Sequence, residues 1–208
     1  QAGDKAGGDS FGWSVSISDD GNTAIIGAYG DGSATGAAYI FTRSGTTWSQ
    51  EAKLVADDGA TNDRFGRTVC ISGDGNTALI GASWQSSYTG AAYIFTRSGT
   101  TWSQEAKLQS DDIAAGDYFG EGISISDDGN EVVIGAWQDG SGTGVAYIFS
   151  RSGTTWSQDK KLESSDKESN DKFGFSVSMS GNSSSVMVGA HHEDTTASNA
   201  GSAYIFVK

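Results

Sequence analysis

Asp58-Gly59-Ala60-Thr61-Asn62-Asp63-Arg64-Phe65-Gly66 is one of four copies of a single pattern, Asp-x-x-x-x-Asp-x-Phe-Gly. The others run Asp4 to Gly12, Asp112 to Gly120 and Asp166 to Gly174, so each Phe-Gly follows the last by 54 residues. A fixed period of that size is the signature of a repeat architecture, in which one supersecondary unit buries its faces only by stacking on its neighbours. Around this frame the rest of each repeat recurs in register: a short apolar alternation, an Asp/Asn-Gly turn, a Gly-Ala, a polar loop and a run ending Ala-Tyr-Ile-Phe.

Within a repeat the periods are those of strands. Phe11, Trp13, Val15 and Ile17 alternate with small polar residues over 11–18, which predicts a half-buried strand. Asp19-Asp20-Gly21-Asn22 then supplies residues that accept positive φ in a hairpin turn. The continuous apolar run over 23–28 predicts a second strand covered on both faces, and its closing Gly27-Ala28 predicts a close backbone approach. Residues 36–42 and 47–55 supply a third and a fourth strand around the turn Arg43-Ser44-Gly45-Thr46. Residues 36–54 and 90–108 are identical, as recent duplication would leave them. The fourth repeat ends with its third strand at Lys208.

Four short strands per repeat, joined in meander order, form a sheet that needs a neighbour on each face. Radial stacking of such sheets gives a β-propeller. The expectation is therefore an all-β chain, one domain over 1–208, with a leading loop over 1–10 and four blades over 11–64, 65–118, 119–172 and 173–208. The last blade lacks its fourth strand, and the expected form is a compact ring of four. Thirty glycines and no proline in 208 residues agree with many tight turns and few helices.

Phe-Gly, Gly-Ala and Gly-Ala-Ala-Tyr-Ile-Phe at these spacings resemble FG-GAP repeats, the blade units of the integrin α-subunit propeller and of many bacterial surface and secreted proteins. The resemblance covers essentially the whole chain. It implies a propeller, seven-bladed in the integrin type, and a binding or adhesion role outside the cell. It also implies calcium in blades with an Asp-x-Asp-x-Asp-Gly loop between strands one and two. Here that loop has shrunk to Asp19-Asp20-Gly21-Asn22, which departs from the calcium-binding pattern.

The net charge of −13 argues against nucleic acid as a partner, because phosphate binding needs clustered Lys and Arg. No apolar run is long enough to enter a membrane as a helix. A first residue other than Met suits a secreted or cell-surface chain whose leader has been removed, and a boundary set during expression equally well. Cys70, the only cysteine, takes the place of Ser16, Ser124 and Ser178 and reads as a small buried thiol.

Meander order brings the loops between strands two and three to the same end as the Asp-x-x-x-x-Asp segments, which makes one strongly acidic face. Two readings of the pairs Asp4/Asp9, Asp58/Asp63, Asp112/Asp117 and Asp166/Asp171 stand side by side. Each pair gives carboxylates to a Ca²⁺ completed by carbonyls and water, or each accepts hydrogen bonds from its own loop backbone. Tyr29, Asp31, Trp84, Tyr88, Trp137 and Asp139 on the same face are candidate ligand contacts, the rings as stacking platforms for sugars. His191 and His192, the only histidines, occupy a longer loop in the last repeat and join that set. Trp48, Trp102 and Trp156 on the outer hairpins read as packing between blades. No nucleophile, base and orienting group stand in a recognisable constellation. The expected function is thus a non-enzymatic binding or adhesion module for a protein or glycan, with calcium as a candidate cofactor and self-association as a further property. A structural subunit of a surface layer or filament, and a propeller accessory to a hydrolase encoded elsewhere in a longer chain, are the alternatives.

Overall fold

The computed structural model describes residues 2–4, 6–194 and 199–208. Four antiparallel sheets follow one another along the chain, each a meander. The first holds β1 (Val15–Ile17), β2 (Thr23–Ala28), β3 (Ala37–Ser44) and β4 (Thr47–Leu54). The second holds β5 (Thr68–Ile71), β6 (Thr77–Ala82), β7 (Ala91–Ser98) and β8 (Thr101–Leu108). The third holds β9 (Phe119–Ile125), β10 (Glu131–Ala136), β11 (Val145–Ser152) and β12 (Thr155–Leu162). The fourth has three strands, β13 (Phe173–Met179), β14 (Ser185–Ala190) and β15 (Ser202–Val207). The all-β, four-blade expectation holds, including the three-stranded last blade.

What joins one blade to the next is the repeated dipeptide itself. The Phe of each blade makes a parallel bridge to the glycine that opens the preceding blade's third strand: Gly36 with Phe65, Gly90 with Phe119, Gly144 with Phe173. The Phe65, Phe119 and Phe173 N–H groups donate to the Thr35, Thr89 and Thr143 carbonyls at 3.0, 3.1 and 3.1 Å. The Gly of Phe-Gly lies against the preceding Gly-Ala so closely that a Cβ on Gly27, Gly81 or Gly135 would overlap the carbonyl oxygen of Gly66, Gly120 or Gly174. Phe-Gly and Gly-Ala are therefore the two halves of one junction. Along the inner strands, hydroxyls complete it: Val69 and Ile71 N–H donate to Ser14 and Ser16 Oγ at 3.1 and 3.2 Å, and Met179 N–H to Ser124 Oγ at 3.0 Å.

Each junction encloses a core made from both blades. Ile25, Ala38, Ile40 and Leu54 of the first blade pack on Phe65, Val69, Ile71, Ile80 and Phe95 of the second. Equivalent sets fill the next two junctions, with Cys70 against the second. Burial pushes the Cys70 thiol up from its ordinary pKa. The outer edge is clasped as well. A β-bulge at Glu51, where the register of β4 slips between Ile40 and Phe41, re-aims that side chain toward the next blade. There Trp102 Nε1 donates to Glu51 at 2.9 Å and Arg97 at 2.7 Å; Trp156 and Arg151 hold Glu105 in the same way. The outer tryptophans of blades two and three thus pack between blades, and Trp48 lies exposed at the free end.

Two expectations are corrected. The first strand of blade one is Val15–Ile17 and not 11–18, because the chain turns at Phe11 and Gly12, where the Trp13 N–H donates to the Ser10 carbonyl at 3.1 Å. The four blades also form an open series rather than a closed ring. Ala2, Tyr39 and Phe41 of the first blade make a separate half-core with Phe11 and Ile26, and among the described residues nothing from the fourth blade enters it.

Candidate functional site

The loops entering Phe-Gly and the loops between second and third strands meet at one end of the blades, and two structures are built there. The first is a set of loop anchors. The leading aspartate of each pair sits under the tyrosine on the third strand of the blade that its loop enters: Tyr39 Oη donates to Asp4 at 3.0 Å, Tyr93 to Asp58 at 2.8 Å, Tyr147 to Asp112 at 2.8 Å and Tyr204 to Asp166 at 2.6 Å. In the first three blades the lysine of the fourth strand reaches the other carboxylate oxygen, Lys53 to Asp4 at 2.7 Å, Lys107 to Asp58 at 2.6 Å and Lys161 to Asp112 at 2.7 Å. The second aspartate, Asp9, Asp63, Asp117 or Asp171, is buried and accepts the N–H three residues earlier.

The electrostatics follow from these contacts. The Lys53 and Lys161 ammoniums hold Asp4 and Asp112 below the usual carboxylate range. At Asp58 burial works against ionisation, and the Lys107 and Tyr93 hydrogen bonds outweigh it. Burial, reinforced by the neighbouring carboxylates, pushes Tyr39 and Tyr147 up to about 12. Because the folded pKa values of the aspartates lie below the unfolded value, their stabilisation is complete above about pH 4 and is lost as pH falls through the folded values. The urea midpoint is expected to drop as pH falls below about 4, and Asp58→Asn to flatten that drop.

A calcium ion takes six to eight oxygen ligands. In these loops one carboxylate of each pair is engaged by O–H and, in three blades, by an ammonium; the other is engaged by backbone N–H. Among the described residues no group of three or more His, Cys, Asp or Glu converges. The donor set fits a hydrogen-bonded anchor and does not fit a calcium cage.

The second structure is a row of rings crossing all four blades. Trp13 meets Tyr29 edge-on at 4.9 Å. The Arg64 guanidinium lies 5.1 Å from Tyr29 and 3.2 Å over Trp84, and Arg67 lies 5.6 Å from Trp13. Trp84 contacts Tyr88 at 5.1 Å, Tyr88 stacks on Tyr118 at 5.1 Å, and Tyr118 leads to Trp137 at 4.9 Å. Trp137 then meets Phe175 at 6.0 Å, Phe175 meets His191 at 4.5 Å, and His191 meets His192 at 4.3 Å. Lys172 stands 4.8 Å over Trp137 and donates to Gln138 at 2.7 Å. Burial lowers His191, with the charges of His192 and Lys172 adding to it, so the His191 imidazole is favoured in its neutral form. Beneath the row, Arg67 pairs with Glu121 at 2.9 Å, and Ser83 donates to the same carboxylate at 2.6 Å.

One cleft opens beside the rings. It holds about 300 Å³ and is lined by Thr61, Asn62, Asp63, Trp84, Ser86, Ser87 and Tyr88. Its floor turns through three consecutive non-glycine residues in the left-handed region, Ser86, Ser87 and Tyr88, at φ 52°, 61° and 64°. The third blade uses Gly140 and Gly142 at two of the corresponding places, and the first uses Gly32 at one. Such strain costs on the order of 1–3 kcal/mol per residue and is retained where the conformation is used.

Of the residues singled out from sequence, Tyr29, Trp84, Tyr88, Trp137, His191 and His192 come together in this row. Asp31 and Asp139 do not. Asp31 accepts from Tyr39 at 3.0 Å and Lys53 at 2.9 Å, and Asp139, raised by burial, lies 3.7 Å from Lys161, so both belong to the loop anchors. The inserted residues of the last loop fall partly on 195–198, outside the described residues. Trp13, Arg64, Arg67, Tyr118, Lys172 and Phe175 were not singled out. A signal for them exists. The position before Phe-Gly reads Ser10, Arg64, Tyr118, Lys172, and the one after it reads Trp13, Arg67, Glu121, Phe175, whereas the outer hairpins barely change. The row is built where the repeats differ.

Sheets of three or four strands, stacked through one recurring junction and presenting loops at one end, define a β-propeller-type repeat protein. The chain belongs to the FG-GAP repeat family, which matches residues 1–41, 48–95, 102–149 and 156–206. Among solved structures it is similar to Kuenenia stuttgartiensis hydrazine synthase, at 15% identity and a TM-score of 0.60 over 93% of this chain and 58% of that one. At that identity the likeness shows the fold alone, and this chain spans less than two thirds of that longer one. No curated protein matches the sequence.

Proposed function

We propose that the chain is a non-enzymatic binding module of the cell exterior that recognises a glycan along the aromatic row, with the cleft beside Trp84 and Tyr88 as its principal contact. The observation that carries this reading is the row of rings from Trp13 to His192, joined between Tyr29 and Trp84 by the Arg64 guanidinium, on an otherwise uniform scaffold. Aromatic faces take the apolar faces of sugar rings, and the Asn62, Ser86 and Ser87 side chains around the cleft supply donors and acceptors for hydroxyls. The exterior location is supported by the family. Calcium plays no part in this reading, since the aspartate pairs are engaged by protein donors.

A glycan array probed with the labelled chain tests it. Binding to the best oligosaccharide, followed by calorimetry, is expected to weaken about tenfold, or roughly 1.4 kcal/mol, in Trp84→Ala and in Tyr88→Ala. Trp156→Ala, on the outer hairpin, is expected to leave affinity unchanged. A blank array, or equal losses in all three variants, contradicts the proposal and turns the search toward a protein ligand on the same row.

A further inference from the structure

The two ends of the open series carry the two unmatched halves of the blade junction. At the outgoing side of the first three blades, one apolar triad is sealed by the next blade; in the third it is Val133, Ala146 and Ile148, with Val133 0% and Ile148 3% exposed. Its counterparts in the fourth blade are Met187, Ala203 and Ile205, with Met187 48% and Ile205 70% exposed. At the incoming side, Val69 and Ile71 of the second blade are 6% and 5% exposed, and their counterparts Val15 and Ile17 of the first blade are 66% and 57% exposed.

The halves also match in shape. Val69 sits over Gly27, 3.3 Å from where its Cβ would be. Among the described residues, the atoms nearest a Cβ on the counterpart glycine, Gly189, all belong to its own blade's Ser176, and Gly189 lines an open cleft of about 150 Å³ with Ser178, Met187 and Ala203. On the first blade, Phe11, Ala24, Ile26, Phe41 and Trp48 line an apolar cleft of about 220 Å³, the place that receives Ile40 at the next junction. Ser176 and Ser178, counterparts of the Ser14 and Ser16 hydroxyls that accept the following blade's N–H groups, are exposed.

We infer that a second copy of this chain docks its first blade on the fourth blade of the first copy, head to tail, repeating the internal junction between molecules. Val15 of one copy covers Gly189 of the other, and Ile205 enters the cleft at Trp48. The pairing is heterologous, because the packing it repeats is that of one blade's incoming face on another's outgoing face. The inference stands on the packing of the junctions and is independent of the ligand.

Light scattering on a size-exclusion column decides it. The chain is expected to elute as two or more copies, and Ile17→Asp and Ile205→Asp each as monomers. Both substitutions fall on exposed positions, and circular dichroism confirms that the folds persist. An equimolar mixture of the two variants is expected to form a one-to-one dimer, because Ile17→Asp retains an intact fourth blade and Ile205→Asp an intact first blade. A monomeric parent chain at its highest soluble concentration overturns the inference and leaves these faces to further blades of the same polypeptide. Assembly of Ile17→Asp alone to the size of the parent overturns it by showing that like faces pair.

Discussion

Phe119→Ala is expected to lower the unfolding free energy by about 3–5 kcal/mol, the range for deleting a fully buried phenylalanine. Phe119 is completely enclosed at the middle junction, packed with Leu79, Ala92 and Ile94 of the second blade and edge-on to Phe149 at 6.1 Å. Its removal leaves a cavity bounded by two sheets whose backbones are tied by the Gly90 bridge, so collapse is restricted. For a chain of this size the loss corresponds to a fall in Tm of roughly 6–20 °C. A second signature is expected. Since stability in stacked repeats is a sum of blade and junction terms, weakening the middle junction uncouples blades one and two from three and four, and the denaturant slope falls along with the midpoint. Phe11→Ala, at the open end where the ring is only half-buried, is expected to cost less than half as much. Chemical denaturation of the two variants beside the parent chain measures both effects.

Gly135→Ala is expected to cost about 3 kcal/mol or more, beyond the upper end of ordinary overpacking. The added methyl would overlap the Gly174 carbonyl oxygen, with the Gly174 carbonyl carbon and Cα also in the way, and all of these are backbone atoms. No side chain can rotate to admit it. The fourth blade must move off the third, which breaks the Phe173 to Thr143 hydrogen bond and opens the core of Val133, Ile148, Met179 and Val188. Limited proteolysis is expected to cut the segment over 163–172 in this variant well before the parent, and thermal unfolding to begin with the last blade.

Most of the architecture was readable because the forces that build it are periodic. The 54-residue spacing of Phe-Gly, the apolar run over 23–28 and the Gly-Ala at the end of each second strand place strands, turns and close approaches. The sequence also contains the loop anchor in full, since Asp58, Tyr93 and Lys107 repeat as Asp112, Tyr147 and Lys161. Reading the aspartates as a pair hid that triad. The partners lie 35 and 49 residues downstream, and only the meander brings them back. The open ends were not readable for a different reason: Ile40 and Ile205 occupy the same register position, and nothing in the pattern tells which of them meets a neighbour. The aromatic row was half readable. Its loops have no period to betray their facing, and the useful signal was variation between copies at Arg64, Tyr118 and Lys172, against an outer hairpin repeated without change.

The central claim is that each Phe-Gly fills the Gly-Ala of the blade before it and that the last Gly-Ala is unfilled within one chain. Thermal unfolding of Gly135→Ala and Gly189→Ala, side by side in dilute solution where copies do not associate, tests it most directly. The same methyl is added to the same position of two blades. At Gly189 it meets only the Ser176 hydroxyl, which can turn aside. The expected result is a large fall in Tm for Gly135→Ala and a change of no more than about 2 °C, at most about 1 kcal/mol, for Gly189→Ala. Equal falls in the two variants would contradict the account.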